Sequence, residues 1–289
     1  MQIPTNQIMT GDCRSLLPSI ASDSVDCIVT SPPYYKQRDY RTQAQLGNEK
    51  DADTYIKNLV AVFSECRRAL KPTGTFWLNL GDKYQDGRLL GLPWRVALQL
   101  VQEGWILRAD IIWHKPNAMP HSVKNRPTVD HEYLFFFAKT DDYYYDADAI
   151  REPHVTFSAR SRMRGGRNHF GKRDGTPEKG KNQGNSNLHD GRWDQAFHPA
   201  GRNKRTVWSV PLGKCREAHF AVFPEALIEP CILAGSPPRG LVLDPFLGTG
   251  TVAVVAKANG RSFLGIELSP DYVAMAKRRL ADSQVCVFV

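Results

Sequence analysis

Two short segments carry the residue types that could do chemistry in this chain of 289 residues. Residues 30–35 read Thr-Ser-Pro-Pro-Tyr-Tyr, and residues 244–251 read Asp-Pro-Phe-Leu-Gly-Thr-Gly-Thr. Each segment directly follows a short apolar run that is typical of a buried strand, at residues 25–29 and 241–243. Open α/β sheets place their ligand sites where such strands end. Both segments are therefore candidate ligand-binding turns.

The later turn has the properties of a cofactor loop. Gly248 and Gly250 can adopt positive φ, and a helix that begins near Thr251 would offer free N–H groups. The next predicted strand ends at Glu267, 17 residues after Gly250, which is close to the spacing at which a carboxylate binds ribose hydroxyls. Asp244 suits an ammonium group. A ligand that has both a ribose and a cationic amino-acid tail is S-adenosylmethionine (AdoMet), so the turn predicts an AdoMet site. The alternative is an ordinary tight turn between a strand and a helix that binds no ligand.

The earlier turn has the properties of a clamp for a planar amine. Two prolines lack N–H groups, so the turn presents carbonyl oxygens and the Ser31 hydroxyl without competing donors. Such acceptors can hold both protons of an –NH₂ group while its nitrogen attacks a sulfonium methyl. The catalytic candidates are Ser31, Pro32, Pro33 and Tyr34, with the ring of Tyr34 or Tyr35 stacked on a base. The alternative is a proline-rich turn that only caps a strand.

Together these motifs resemble the amino-methyltransferases of DNA, which methylate cytosine at N4 or adenine at N6. The catalytic turn precedes the cofactor loop, an order that matches the permuted β group of that family. Residues 11–13, 74–82, 111–116 and 219–225 resemble further segments of the family, so that only residues of about 151–206 fall outside the resemblance. The resemblance implies a set of cofactor-binding candidates: Asp12, Cys13, His219, Phe220, Asp244, Phe246, Gly248, Gly250, Thr251 and Glu267.

The net charge of +8 lies entirely in residues 151–206, which hold 13 basic and 5 acidic side chains together with eight glycines. Basic, Arg-rich surface suits phosphate contact and groove readout in DNA. In the β group, a target-recognition insert occupies this position. A solvated, partly disordered linker is the alternative. The DNA-binding candidates are Arg162, Arg164, Arg167, Arg202, Lys204 and Arg205, together with Arg38 in the loop after the catalytic turn.

Alternating strand and helix patterns predict the α/β class, with a doubly wound, mostly parallel, Rossmann-like methyltransferase sheet in permuted motif order. We predict a catalytic half at residues 1–150, a basic DNA-recognition insert at 151–206 and an AdoMet-binding half at 207–289. The predicted strands cover 8–10, 25–30, 75–80, 111–115, 133–138, 241–244 and 262–267. The predicted helices cover 52–70, 93–103, 224–233, 252–259 and 270–280.

These features predict a site-specific DNA methyltransferase that transfers a methyl group from AdoMet to the exocyclic amine of a flipped base in double-stranded DNA. In the family, Ser before Pro-Pro-Tyr goes mostly with N4-cytosine enzymes, so Ser31 favours cytosine; N6-adenine is the alternative. RNA or a protein glutamine is a rival substrate, although those family members usually have the cofactor loop first. A non-catalytic DNA-binding protein is the other rival.

Composition narrows the class of protein further. The chain has no long apolar segment and no signal-like N-terminus, which predicts a cytoplasmic protein without membrane contact. Six cysteines show no close pairing, and eight histidines show no metal-ligand spacing, so we expect no metal. Because many β-group members pair, the resemblance allows a homodimer. It leaves open whether the methylase is solitary or is the partner of a restriction endonuclease.

Overall fold

The computed structural model describes residues 5–37, 45–120, 122–153, 200–213 and 224–285. The chain divides into two compact units. The larger unit comprises Met1–Asp146 and Arg205–Val289, and the smaller unit comprises Ala147–Lys204. The three-part division at residues 150 and 206 stays a prediction.

A mixed, mostly parallel sheet forms the centre of the larger unit. The described strands are β1 (Gln7–Thr10), β2 (Val25–Thr30), β3 (Leu70–Leu80), β4 (Tyr84–Gln85), β5 (Arg88–Leu89), β6 (Ile106–His114), β7 (His131–Ala138), β8 (Val207–Ser209), β9 (Leu241–Asp244) and β10 (Ser262–Glu267). Eight of them form one sheet in the order β1-β10-β9-β2-β3-β7-β6-β8, and β4 and β5 form a separate hairpin. Among the described strands of the large sheet, only β7 is antiparallel to its neighbours. The prediction of a mostly parallel α/β sheet is confirmed.

Helices connect the strands of this sheet. The described α-helices are α1 (Cys13–Leu16), α2 (Ala52–Ala69), α3 (Leu92–Gln102), α4 (Glu225–Gly235), α5 (Thr251–Ala258) and α6 (Pro270–Val285). At the start of α2, Asp51 accepts a hydrogen bond from the backbone N–H of Thr54 at 2.7 Å, which satisfies one of the N–H groups that a helix leaves free. None of the helices in the described ranges is long and apolar enough to span a membrane.

Aromatic side chains fill the core beside the central strands. Phe76 on β3 and Phe135 and Phe137 on β7 are fully buried, as is Trp105 just before β6. The ring centroids of Phe76 and Trp105 lie 4.9 Å apart, within the range of favourable aromatic pairs. This packing fixes β3 and β7 against each other, and the end of β3 and the start of β7 border the catalytic turn.

Three strands match the sequence prediction at both ends, and the differences lie where apolar runs are interrupted. Strands β2, β9 and β10 have the predicted bounds, whereas β3 begins at Leu70 and β6 at Ile106, each five residues early. Polar and proline residues at 71–73 interrupt the strand pattern, so the first part of β3 was not predicted. This part joins the sheet through Leu70, which lies opposite Val25 before a register shift. The short strands β4, β5 and β8 were not predicted because two or three residues carry no period.

Candidate active site

The two turns singled out in the sequence lie side by side in space. Strand β2 pairs with β9 in parallel register, with Ile28 opposite Leu243, so both strands end at the same edge of the sheet. At that edge the Thr30 hydroxyl donates a hydrogen bond to Asp244 Oδ1 at 2.6 Å. Thr30 directly precedes Ser31. The catalytic turn and the cofactor loop are therefore joined by one buried hydrogen bond.

Asp244 offers one carboxylate oxygen to a ligand. Oδ1 accepts from Thr30 and, at 3.0 Å, from the backbone N–H of Phe246. Oδ2 is buried, and no donor within the described residues reaches it. Burial raises the pKa of Asp244 to about 7, and the charge of nearby Glu267 adds to the effect. A buried carboxylate oxygen without a donor is costly, and an ammonium group would supply the missing partner.

The glycine loop after Asp244 has the shape of a cradle. Gly248 and Gly250 both have positive φ, at 55° and 85°. A Cβ added at Gly248 would lie 4.0 Å from its nearest neighbour, the Phe246 carbonyl oxygen, so the space above Gly248 is open. The N–H of Gly248 donates to Glu267 Oε2 at 2.7 Å. Burial raises the pKa of Glu267, whose oxygens keep lone pairs free for further donors such as hydroxyls. These residues fit a ligand with a ribose and an ammonium group.

The Asp12 segment lies against the same strand end. The N–H of Gly11 donates to the Glu267 carbonyl at 2.8 Å. Asp12 caps α1 through the backbone N–H of Arg14 at 2.9 Å and forms a 2.6 Å ion pair with the Arg14 guanidinium. Burial raises the pKa of the Asp12 carboxyl, but the bonds from Arg14 outweigh it and leave the pKa lowered. Cys13 is buried, which raises the pKa of its thiol to about 12.

Two further cofactor candidates make contacts within the protein. Arg279 on α6 donates to the Thr251 hydroxyl at 2.9 Å, so this side chain helps to fasten α6 to the start of α5. The ring of Phe246 is partly buried and meets the ring of Phe63 edge-on, with centroids 6.4 Å apart. His219 and Phe220 lie outside the described residues.

Tyr55 on α2 holds the catalytic turn in place. Tyr35 is 2% exposed and packs against Tyr55, with ring centroids 5.5 Å apart. The Tyr55 hydroxyl donates to the Pro33 carbonyl at 2.9 Å. Tyr35 is thus a core residue, which leaves Tyr34 as the tyrosine of this pair that can meet a base. The Tyr34 ring lies against Gly81, where an added Cβ would come within 2.6 Å of the ring.

A polar network surrounds the Tyr34 hydroxyl. Ser31 Oγ donates to Tyr34 Oη at 3.2 Å, and Tyr34 Oη lies 2.7 Å from Glu132 Oε2 and 3.0 Å from Asn79 Oδ1. Asn79 Nδ2 donates to Glu132 Oε2 at 3.2 Å, and the Lys115 ammonium pairs with Glu132 Oε1. Burial raises the pKa of Tyr34 well above its ordinary value, and the charge of Glu132 raises it further. Tyr34 is therefore a neutral phenol with a proton to donate.

Comparison with known proteins decides the family of this chain. A family model described as DNA methylase matches residues 25–278. The chain belongs to the N6/N4 DNA methylase family. It is similar to the type II methyltransferase M.Cfr9I of Citrobacter freundii, with 39% identity over 94% of this chain and 87% of the relative. The predictions of an AdoMet-dependent family and of a DNA methyltransferase are confirmed.

Two solved structures have the same fold as this DNA methylase. The PvuII DNA methyltransferase, described as cytosine-N4-specific, superposes with a TM-score of 0.68 at 20% identity, covering 96% of this chain and 87% of that one. The protein TTHA0409 of Thermus thermophilus, solved in complex with S-adenosyl-L-methionine, superposes with a TM-score of 0.62 at 26% identity, covering 96% of this chain and 94% of that one.

The structure describes three of the seven DNA-binding candidates of this methylase. In the smaller unit, Arg202 Nη2 lies 3.3 Å from Glu152 Oε2 and Lys204 Nζ lies 3.5 Å from Glu152 Oε1. In the larger unit, the Arg205 carbonyl accepts from the Trp208 indole. Two of the predicted phosphate contacts thus share a carboxylate in this structure. Arg38, Arg162, Arg164 and Arg167 lie outside the described residues.

Sequence reasoning assigned no role to four residues that the fold brings to this methylase site: Thr30, Asn79, Lys115 and Glu132. Asn79 did carry a signal, because it is a polar residue that directly follows the apolar run at residues 76–78 in a predicted strand; the structure buries it fully, and buried polar groups need hydrogen-bond partners. Glu132 and Lys115 carried none. Glu132 reaches Tyr34 because the antiparallel strand β7 begins where β3 ends. Lys115 reaches Glu132 because β6 and β7 pair antiparallel, which places the end of β6 beside the start of β7.

Proposed function

We propose that this DNA methylase transfers a methyl group from AdoMet to the exocyclic amine of a base flipped out of double-stranded DNA at a specific site. Cytosine N4 is the preferred target and adenine N6 the alternative. The observation that carries the proposal is the 2.6 Å hydrogen bond from Thr30 to Asp244. It holds the amine clamp and the cofactor loop at adjacent strand ends, where a donor methyl and an acceptor nitrogen could meet in line.

The cofactor half of the site binds AdoMet through its polar tail and its ribose. AdoMet, when bound, supplies an electrophilic sulfonium methyl. Asp244 Oδ2 accepts from the ammonium group, and Glu267 accepts from the ribose hydroxyls. Gly248 leaves room for the ligand, while Asp12 and Cys13 border the adenine. The absence of any hydrogen-bond donor to Asp244 Oδ2 among the described residues supports this assignment.

The amine half of the site holds and orients the target. Ser31 Oγ and the Pro32 carbonyl accept the two amine protons; the Pro33 carbonyl is engaged by Tyr55. Tyr34 stacks on the flipped base, whose extrusion costs a few kcal/mol. With both N–H bonds held, the nitrogen lone pair turns toward the methyl carbon. The N–C bond would form as the C–S bond breaks, so that the cofactor leaves as a neutral thioether and the protonated amine then loses one proton to solvent.

The choice of base rests on Ser31. Family members with Ser before Pro-Pro-Tyr are mostly N4-cytosine enzymes, although Ser, Asp and Asn can each accept from either amine. Digestion of the methylated DNA to nucleosides, followed by mass spectrometry, identifies which base carries the methyl group. We expect N4-methylcytosine, and N6-methyladenine would reverse the preference.

The grip on DNA comes from the basic segment at residues 151–206, inserted into a methyltransferase fold with permuted motif order. Phosphate and groove contacts come from Arg38, which follows Tyr34 by four positions in the sequence, and from Arg162, Arg164, Arg167, Arg202, Lys204 and Arg205. The similarity to type II methyltransferases supports a cognate restriction endonuclease as a functional partner. A homodimer and a cytoplasmic location complete the proposal.

Methyl transfer from labelled AdoMet tests this function. We expect label to enter double-stranded DNA and not RNA or protein, and methylome sequencing of an expressing host to give one recognition sequence. Ser31→Ala should abolish most transfer while AdoMet still binds, whereas Asp244→Asn should weaken AdoMet binding itself. Label in RNA or protein would favour the rival substrates, and a chain that binds DNA but not AdoMet would be a non-catalytic binding protein.

A further inference from the structure

The direction in which the Ser31 hydroxyl proton points matters for the proposed reaction. A serine hydroxyl carries one proton and two acceptor lone pairs. If that proton pointed at the target amine, it would compete for the nitrogen lone pair that must attack the methyl group. The hydroxyl serves the reaction only when its proton points away and its lone pairs face the amine.

The network around Tyr34 fixes this direction. Ser31 Oγ donates to Tyr34 Oη at 3.2 Å, and Tyr34 Oη donates onward to Glu132 Oε2 at 2.7 Å. Tyr34 has a single proton, and the shorter contact to a carboxylate is the stronger of its two options. These hydrogen bonds form a series from Ser31 through Tyr34 to Glu132. Because the series ends on a carboxylate, which only accepts, the hydroxyls of Ser31 and Tyr34 must both donate toward Glu132.

Glu132 is itself held in place from two sides. Asn79 is fully buried and donates to Glu132 Oε2 and, at 3.1 Å, to the Tyr133 carbonyl. The Lys115 ammonium pairs with Glu132 Oε1. The side chains of Lys115 and Glu132 are each only 15% exposed. The amide hydrogen bond and the ion pair together orient the carboxylate toward Tyr34.

We propose that Glu132 is a positioning residue for methyl transfer, which acts through Tyr34 to turn the Ser31 hydroxyl proton away from the target amine. This proposal rests on the function proposed above, because it assigns Ser31 to the amine. Hydrogen bonds that are linked in series polarise one another, so the series from Ser31 to the Glu132 carboxylate makes Ser31 Oγ a better hydrogen-bond acceptor. That effect grows as positive charge develops on the amine nitrogen.

The test measures single-turnover methyl transfer at saturating AdoMet and cognate DNA. Tyr34→Phe keeps the aromatic ring but removes the hydroxyl that links Ser31 to Glu132. Glu132→Gln keeps the shape of the side chain but removes its negative charge. Each should slow transfer about tenfold, the worth of one charge-assisted hydrogen bond, with AdoMet affinity unchanged. Tyr143→Phe is the matched control: its hydroxyl accepts from Arg108 at 2.9 Å, outside this network, and its rate should match the wild type.

A double-mutant cycle separates positioning from general support of the fold. If Glu132 acts through Ser31, Glu132→Gln should slow the wild type but slow Ser31→Ala by less than about twofold. An equal effect in both backgrounds would overturn the proposal, as would a Tyr34→Phe rate within twofold of the wild type. A Ser31→Ala rate equal to the wild type would instead remove Ser31 from the proposed function. Melting temperatures exclude misfolded variants, and Tyr34→Phe still decides if Glu132→Gln does not fold.

Discussion

Protonation of Asp244 should control AdoMet binding in the neutral pH range. Burial raises the pKa of Asp244 to about 7, so the carboxyl group that we propose binds the cofactor's ammonium is mostly neutral at pH 5.5. If only the ionised form binds the ammonium, affinity should be about 25-fold weaker at pH 5.5 than at pH 7.5, or ~1.9 kcal/mol. The groups that face Asp244 are Glu267, the Thr30 hydroxyl and the buried Cys66 thiol. Calorimetric titration of AdoMet across this range measures the effect.

The same proton has the opposite effect on the protein without cofactor. The pKa of Asp244 is higher in the folded chain than the ordinary 3.8, so the folded state holds this proton more tightly. The stability contributed by protonated Asp244 is therefore present at low pH and is lost as pH rises from about 4 to 7. We expect the rise in melting temperature caused by AdoMet to be larger at pH 7.5 than at pH 5.5, because ionised Asp244 then gains its partner.

A cofactor fragment supplies the control for this pH dependence. Methylthioadenosine keeps the ribose and adenine but lacks the ammonium, so its binding reports titration of Glu267 without Asp244. We expect its affinity to vary much less than that of AdoMet between pH 5.5 and 7.5. In Asp244→Asn, AdoMet should bind weakly at every pH. An AdoMet affinity in the wild type that is constant across the range, or one that tracks the fragment, would refute the assignment of Asp244 to the ammonium.

Three further predictions concern separate parts of the site. Thr30→Val removes the donor to Asp244 and should weaken AdoMet binding five- to tenfold, with Thr30→Ser restoring it; equal affinities by calorimetry would contradict this. Gly250→Ala forces a side chain into φ of 85° and against α6, so the melting temperature should fall, and an unchanged value would show that the loop can relax. Neutralising Arg202, Lys204 and Arg205 together should weaken binding to all DNA alike and lower the salt slope by up to ~0.9 per lost phosphate contact, whereas an unchanged slope would exclude these contacts.

The sequence predicted the parts of the fold that rest on local patterns. Strands β2, β9 and β10 are short, mostly apolar segments bounded by turn residues, so their ends could be predicted directly from the sequence. The family resemblance rested on the two turns and on further segments in the family's order, and the match over residues 25–278 confirms the family. Strand β3 was shortened in the prediction, because Lys71 and Pro72 interrupt its pattern, while its pairing with β2 through Leu70 depends on tertiary contact.

The partners of the catalytic turn could not be predicted, for a reason that lies in how the sheet is assembled. A strand pattern shows where a turn will stand at a sheet edge, but the strand order decides which side chains surround it. Glu132 lies 98 residues from Tyr34 in the chain and reaches it because the antiparallel β7 begins where the parallel β3 ends. A parallel strand at the position of β7 would end at this edge and could not begin there. The antiparallel strand β7 thus brings the carboxylate of Glu132, at its start, to the sheet edge where the catalytic turn lies, and Lys115, directly after β6, forms an ion pair with that carboxylate.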